Sequence, residues 1–84
     1  MSEIKLSLRN KTKAELKLHI GDDIIITIPA HRSKTVSAKS GIRPFVSSKG
    51  LVGDIWRYEI NEDISLDCSL EGEALRLSIG SPML

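Results

Sequence analysis

Asp23-Ile24-Ile25-Ile26-Thr27-Ile28, closed by Pro29, is the stretch whose reading decides the fold. β-Branched side chains favour the extended backbone, the run is far too short to span a membrane, and Gly21 and Pro29 bracket it with turn chemistry. It reads as a buried strand. Just upstream, Ala14, Leu16, Leu18 and Ile20 alternate with Glu15, Lys17 and His19, and Gly21-Asp22 reads as a two-residue hairpin turn between the two segments. Further back, Ile4, Leu6 and Leu8 alternate with Lys5, Ser7 and Arg9, and the polar run Asn10–Lys13 suits a turn. The three segments together predict a meander.

Downstream of Pro29, Lys34–Ala38 is a weaker strand whose small polar residues and lysine suit a sheet edge. Lys39 to Asp54 is broken by Gly41, Pro44, Gly50 and Gly53; it reads as a long irregular segment of the kind that carries function. The weightier reading within it makes Phe45-Val46 or Leu51-Val52 a short irregular strand. Ile55–Ile60 resumes the alternation with Trp56, Tyr58 and Ile60 on one face, which predicts a strand with its aromatics in the core. Beyond the Asn61–Asp63 turn, Ile64, Leu66, Cys68 and Leu70 form another strand. A tight turn at Glu71-Gly72 then leads to Leu75, Leu77 and Ile79, stopped by Gly80-Ser81-Pro82.

No segment has a helical apolar period. The expectation is a single all-β domain over residues 1–84, a small antiparallel β-sandwich of about seven strands with edges at the first and fourth, or alternatively a small β-barrel. The segment Ile24 to Val36, with Thr27-Ile28-Pro29-Ala30 leading into Ser33-Lys34-Thr35-Val36, resembles small bacterial and phage β-sandwich domains without defining a family.

A hydrophobic content of 40% and a charged content of 27% are those of an ordered globular chain. Cys68, the single cysteine, cannot close an internal disulfide, which points to a reducing compartment. Met1-Ser2-Glu3-Ile4-Lys5 alternates polar and apolar residues and has no signal-peptide core, and no apolar run is long enough for a membrane span. The expected location is the cytoplasm. The charge of +1 conceals an asymmetry: residues 1–50 carry ten Lys or Arg against four Asp or Glu, and residues 51–84 carry two against seven.

Chemistry-bearing residues are few. Cys68 has the inward parity of Leu66 and Leu70 and reads as a small core hydrophobe. His19 and His31, the general-base candidates, fall at opposite ends of an up-and-down chain. No Gly-x-Ser-x-Gly elbow, phosphate loop or zinc-ligand spacing is present, so no enzymatic activity, cofactor or metal is expected. Asn10-Lys11-Thr12 matches a glycosylation sequon but reads more simply as a turn.

If every connection reverses direction, the turns at 10–13, 29–33 and 61–63 share one pole, and those at 21–23 and 71–73 share the other. The first gathers Arg9, Lys11, Lys13, His31, Arg32 and Lys34, an anion or nucleic-acid site diluted by Glu62 and Asp63. The second gathers Asp22, Asp23, Asp54, Glu71 and Glu73, a more remote calcium site. The leading expectation is a non-enzymatic protein-binding module that docks on a larger partner, or on itself through an edge strand. Its contact is expected at Arg43, Phe45, Val46 and Lys49, an aromatic with flanking cations.

Overall fold

The computed structural model describes residues 2–81, which leaves Met1 and the stop read at Pro82 outside the described residues. Eight strands follow one another: β1 (Glu3–Asn10), β2 (Leu16–His19), β3 (Ile25–Ile28), β4 (Ser33–Lys39), β5 (Phe45–Ser48), β6 (Leu51–Ile55), β7 (Ile64–Glu71) and β8 (Ala74–Ile79). They form one sheet in the order β3-β2-β5-β6-β8-β7-β1-β4, curled into a nearly closed barrel. The all-β expectation is borne out, and the barrel alternative describes its shape. No helix among the described residues is long and apolar enough to cross a membrane.

The pairing departs from an up-and-down chain. β1 lies parallel to β7, and β6 lies parallel to β8 through the single pair Val52↔Ala74, so the sheet is mixed. β1 pairs with β4 and β7 and is an interior strand, while β2 pairs with β3 and β5. The predicted meander therefore reduces to one hairpin, β2–β3. Its connection has three residues, since Ile20 N–H donates to Ile24 O at 3.1 Å, and Gly21 keeps an ordinary backbone conformation.

Alternation puts Ile4, Leu6 and Leu8 of β1, Leu16 and Leu18 of β2, Val46 of β5, Leu66 and Cys68 of β7, and Leu75 of β8 into one core. The isoleucine run is not the buried centre it resembles. β3 ends the sheet; Ile28 is buried, but Ile24 and Ile25 are 53% and 54% exposed. A run whose one polar position is Thr27 carries too little parity to distinguish a central strand from an edge. Both edges, β3 and β4, flank the seam of the barrel.

Residues 39–54 are largely ordered into β5 and β6, joined by a turn at Lys49-Gly50 in which Gly50 takes φ 79°. The strand expected at Ile55–Ile60 ends instead at Ile55. Beyond it, Trp56 N–H donates to Pro44 O at 2.8 Å, and only an isolated bridge between Ile42 and Ile60 continues the pairing. Ile60 is buried and Trp56 packs against the core, but Tyr58 is 70% exposed.

Asn10 joins the two ends of the sheet. Its fully buried side-chain amide donates to Ala14 O at 2.8 Å, Ile28 O at 3.2 Å and Pro29 O at 3.0 Å. Its Oδ1 accepts from the Thr12 backbone N–H at 2.9 Å and from Thr12 Oγ1 at 2.7 Å. The apparent sequon is thus a buried structural turn that ties β1, beside the β4 edge, to the end of the β3 edge.

Candidate docking face

The register fixes which side chains share the outer face. His19 pairs with Ile25 on one side and Phe45 on the other, and Phe45 pairs with Ile55. Ile25, His19, Phe45 and Ile55 therefore form one row across β3-β2-β5-β6. Phe45 is 36% exposed and Ile55 53% exposed. The His19 and Phe45 ring centroids lie 5.2 Å apart, and His19 Nε2 hydrogen-bonds Ser47 Oγ at 3.0 Å. Gly53 provides the bed for the phenyl ring: a Cβ there would fall 2.7 Å from Phe45 Cζ. The row is held in place on one side by glycine and on the other by imidazole.

Of the four residues expected to make the partner contact, Phe45 and Arg43 are exposed, two positions apart in the chain. Val46 points into the core with no exposed surface, and Lys49 lies in the turn at the far end of β5. Val46 and Phe45 cannot share one outer contact because they are neighbours in a strand, where successive side chains take opposite faces. Ile25, His19 and Ile55 were missed because their meeting depends on which strands pair, and no local pattern encodes that.

The basic residues do come together, at the end where β1 finishes. Arg9 pairs with Ser33, Asn10 N–H donates to Arg32 O at 2.8 Å, and His31 N–H donates to Thr12 O at 3.3 Å, bringing Lys11, Lys13 and Lys34 to the same end. His31 takes φ 58° at the third position of the turn closed by Arg32 N–H to Pro29 O. Asp67 accepts both Arg9 (3.3 Å) and Lys11 (3.0 Å), so two of the six are already paired. Because β7 runs parallel to β1, the 61–63 turn lies at the opposite end and the Glu71–Glu73 turn joins the basic one.

That topology also divides the five carboxylates considered for calcium. Asp22 and Asp23 sit at the Phe45 end, Glu71 and Glu73 at the Asn10 end, and Asp54 Oδ2 accepts the Leu77 N–H at 2.8 Å where β6 and β8 diverge. Among the described residues no group of three or more His, Cys, Asp or Glu side chains is placed to hold a metal ion.

His19 and His31 lie at opposite ends, as expected. Ser47 and His19 form a hydroxyl–imidazole pair, yet among the described residues no side chain bonds the other ring nitrogen to orient it as a base. Cys68 is fully buried, and its thiol is pushed up to about 11, first by burial and then by the Asp54 carboxylate, with the Arg76 backbone hydrogen bond opposing. A thiol so held stays protonated and unreactive.

The protein is thus a small mixed β-barrel with an apolar row on one outer face. Comparison with protein-family models, curated proteins and solved structures returns no match.

Proposed function

We propose that the protein is a non-enzymatic docking module that binds a larger protein through the row Ile25–His19–Phe45–Ile55. The observation that carries this reading is the continuity of that row: four strands contribute outward side chains to one band, with an aromatic near its centre. Lys17 is exposed beside it, and exposed Arg43 and Arg57 lie two residues before Phe45 and after Ile55 in the chain. The matching partner surface has an apolar centre and an acidic rim, the cations steering the encounter and the row supplying affinity.

The test is capture by the intact protein carrying a photo-crosslinking residue at position 55, compared with one at Ser65 on the opposite outer face. The reading expects one protein to link from position 55 and not from 65, and to be lost on Phe45→Ser with Ile55→Ser. Capture that survives that double substitution, or that disappears on nuclease treatment, would overturn it. Loss with nuclease would move the function to Lys13, Arg32 and Lys34.

A further inference from the structure

The free edge of β3 has a chemistry distinct from the face just described. Ile20 N–H bonds Ile24 O, so along the β2–β3 ladder Ile24, Ile26 and Ile28 turn their backbone groups towards β2. Ile25 and Thr27 then present their N–H and C=O groups outward from the sheet. Edges are normally blunted by lysine, proline or a bulge. β4 carries exposed Lys34 and Lys39, whereas Ile25–Ile28 contains no charge, proline or bulge.

From this edge we infer that the protein pairs with a second copy of itself, β3 against β3 in antiparallel register about a twofold axis at Ile26. In an antiparallel pair, residues directly opposite share a face, so the apolar parity must match across the axis. Ile26 then meets Ile26 of the second copy, Ile24 meets Ile28, and the outward backbone groups of Ile25 meet those of Thr27. The contact is isologous and closes at two copies.

Charge selects this occupant. Antiparallel pairing brings the Gly21-Asp22-Asp23 turn of each copy beside the Pro29–Arg32 turn of the other, the end that also carries Lys13 and Lys34. Among the described residues, Asp22, Asp23, Lys13, Arg32 and Lys34 make no ion pair within their own chain. Two acidic turns thus face two basic ends, and the asymmetry that leaves one barrel with unlike ends is cancelled in the pair.

Sedimentation equilibrium of the whole chain from about 1 to 500 µM tests the pairing. The expected mass approaches twice the monomer's 9.3 kDa. Thr27→Pro removes an outward N–H that β2 does not use, and should return a folded monomer by circular dichroism. A charge exchange that leaves the β3 backbone untouched supplies the second test. Asp22→Lys with Asp23→Lys, and separately Arg32→Glu with Lys34→Glu, should each weaken self-association by at least about tenfold, and an equimolar mixture of the two should restore it. A monomer across the range would overturn the inference, as would a mixture that fails to recover. The substitutions leave Phe45 and Ile55 untouched, so loss of pairing and loss of partner capture are read separately.

Discussion

Four strands, β4-β1-β7-β8, have 7, 8, 8 and 6 residues, while the other four, β3-β2-β5-β6, have 4, 4, 4 and 5. Their outer faces differ as much as their lengths. On the long half the rows read Ser33, Arg9, Asp67, Ser78 and then Thr35, Ser7, Ser65, with Ser7 and Thr35 hydroxyls bonded at 2.8 Å and Arg9 paired to Asp67. On the short half the corresponding band is Ile25, His19, Phe45, Ile55. Exposed Ile79 and Val52 also occur on strands of the long half or its junction, but singly, and scattered apolar residues are ordinary. The long half is a framework whose outer polar groups satisfy one another; the short half is hung on it and displays an unsatisfied band.

The comparison predicts that the joint between the halves is where stability is most easily lost. Asn10→Ala would leave Ile28 O, Pro29 O, Ala14 O and the Thr12 N–H without their buried partner. The expected loss is about 3–5 kcal/mol in urea unfolding, close to the whole stability of many small domains. A loss below about 1 kcal/mol would mean that the shared core alone holds the halves together.

Each half also lays one side chain over a glycine, and the two glycines should differ. A Cβ at Gly53 would fall 2.5 Å from Val46 O and 2.7 Å from Phe45 Cζ, so backbone as well as the ring would have to move. Gly53→Ala should destabilise by about 2–3 kcal/mol and displace Phe45, weakening partner capture with it. At Gly80 the added Cβ would overlap the Asp67 carboxylate, a flexible group. Gly80→Ala should cost about 1 kcal/mol, through loosening of the Arg9 and Lys11 pairs, and leave capture intact. Equal effects would erase the distinction between a framework face and a displayed one.

The long half was the more legible in the chain. Ile4-Lys5-Leu6-Ser7-Leu8, Ile64–Leu70 and Leu75–Ile79 keep strict alternation, and those strands stand where the pattern puts them, with their inward faces buried or half-buried except at Leu70 and Ile79 towards the strand ends. The short half was legible in kind but not in place. Ile24–Ile28 is apolar except at Thr27, and the short strands read at Phe45-Val46 or Leu51-Val52 are both present, as β5 and β6, but Pro44, Gly50 and Gly53 break the segment too often for its pairing to be read. Trp56-Tyr58-Ile60 alternates by coincidence over three positions in a segment held by one backbone bond to Pro44 and by two at Ile60, to Ile42 and Gly41. The parallel β1–β7 pairing joins segments some 58 positions apart, Leu6 to Ile64, and no local period carries that information. With it went the placement of the 61–63 and 71–73 turns, and hence both expected poles.

The last test asks how tightly the framework half is closed. Cys68 lies opposite Asn10 on one side and Leu77 on the other, with its thiol raised from 9.0 to about 11. In the unfolded chain the thiol ionises near its ordinary value, while the folded state keeps the proton, so folding favours the protonated form. Stability from this source is therefore complete below about pH 9 and falls as pH rises from 9 towards 11, where the unfolded chain gains a charge that the core resists. The measurement is the difference between the protein and Cys68→Ala, which isolates the thiol's contribution: the wild-type unfolding free energy should fall more steeply over that interval. Thiol labelling below pH 9 should proceed no faster than global unfolding. Faster labelling would place a local opening beside Asn10 and make the framework half, not the displayed one, the softer part of the molecule.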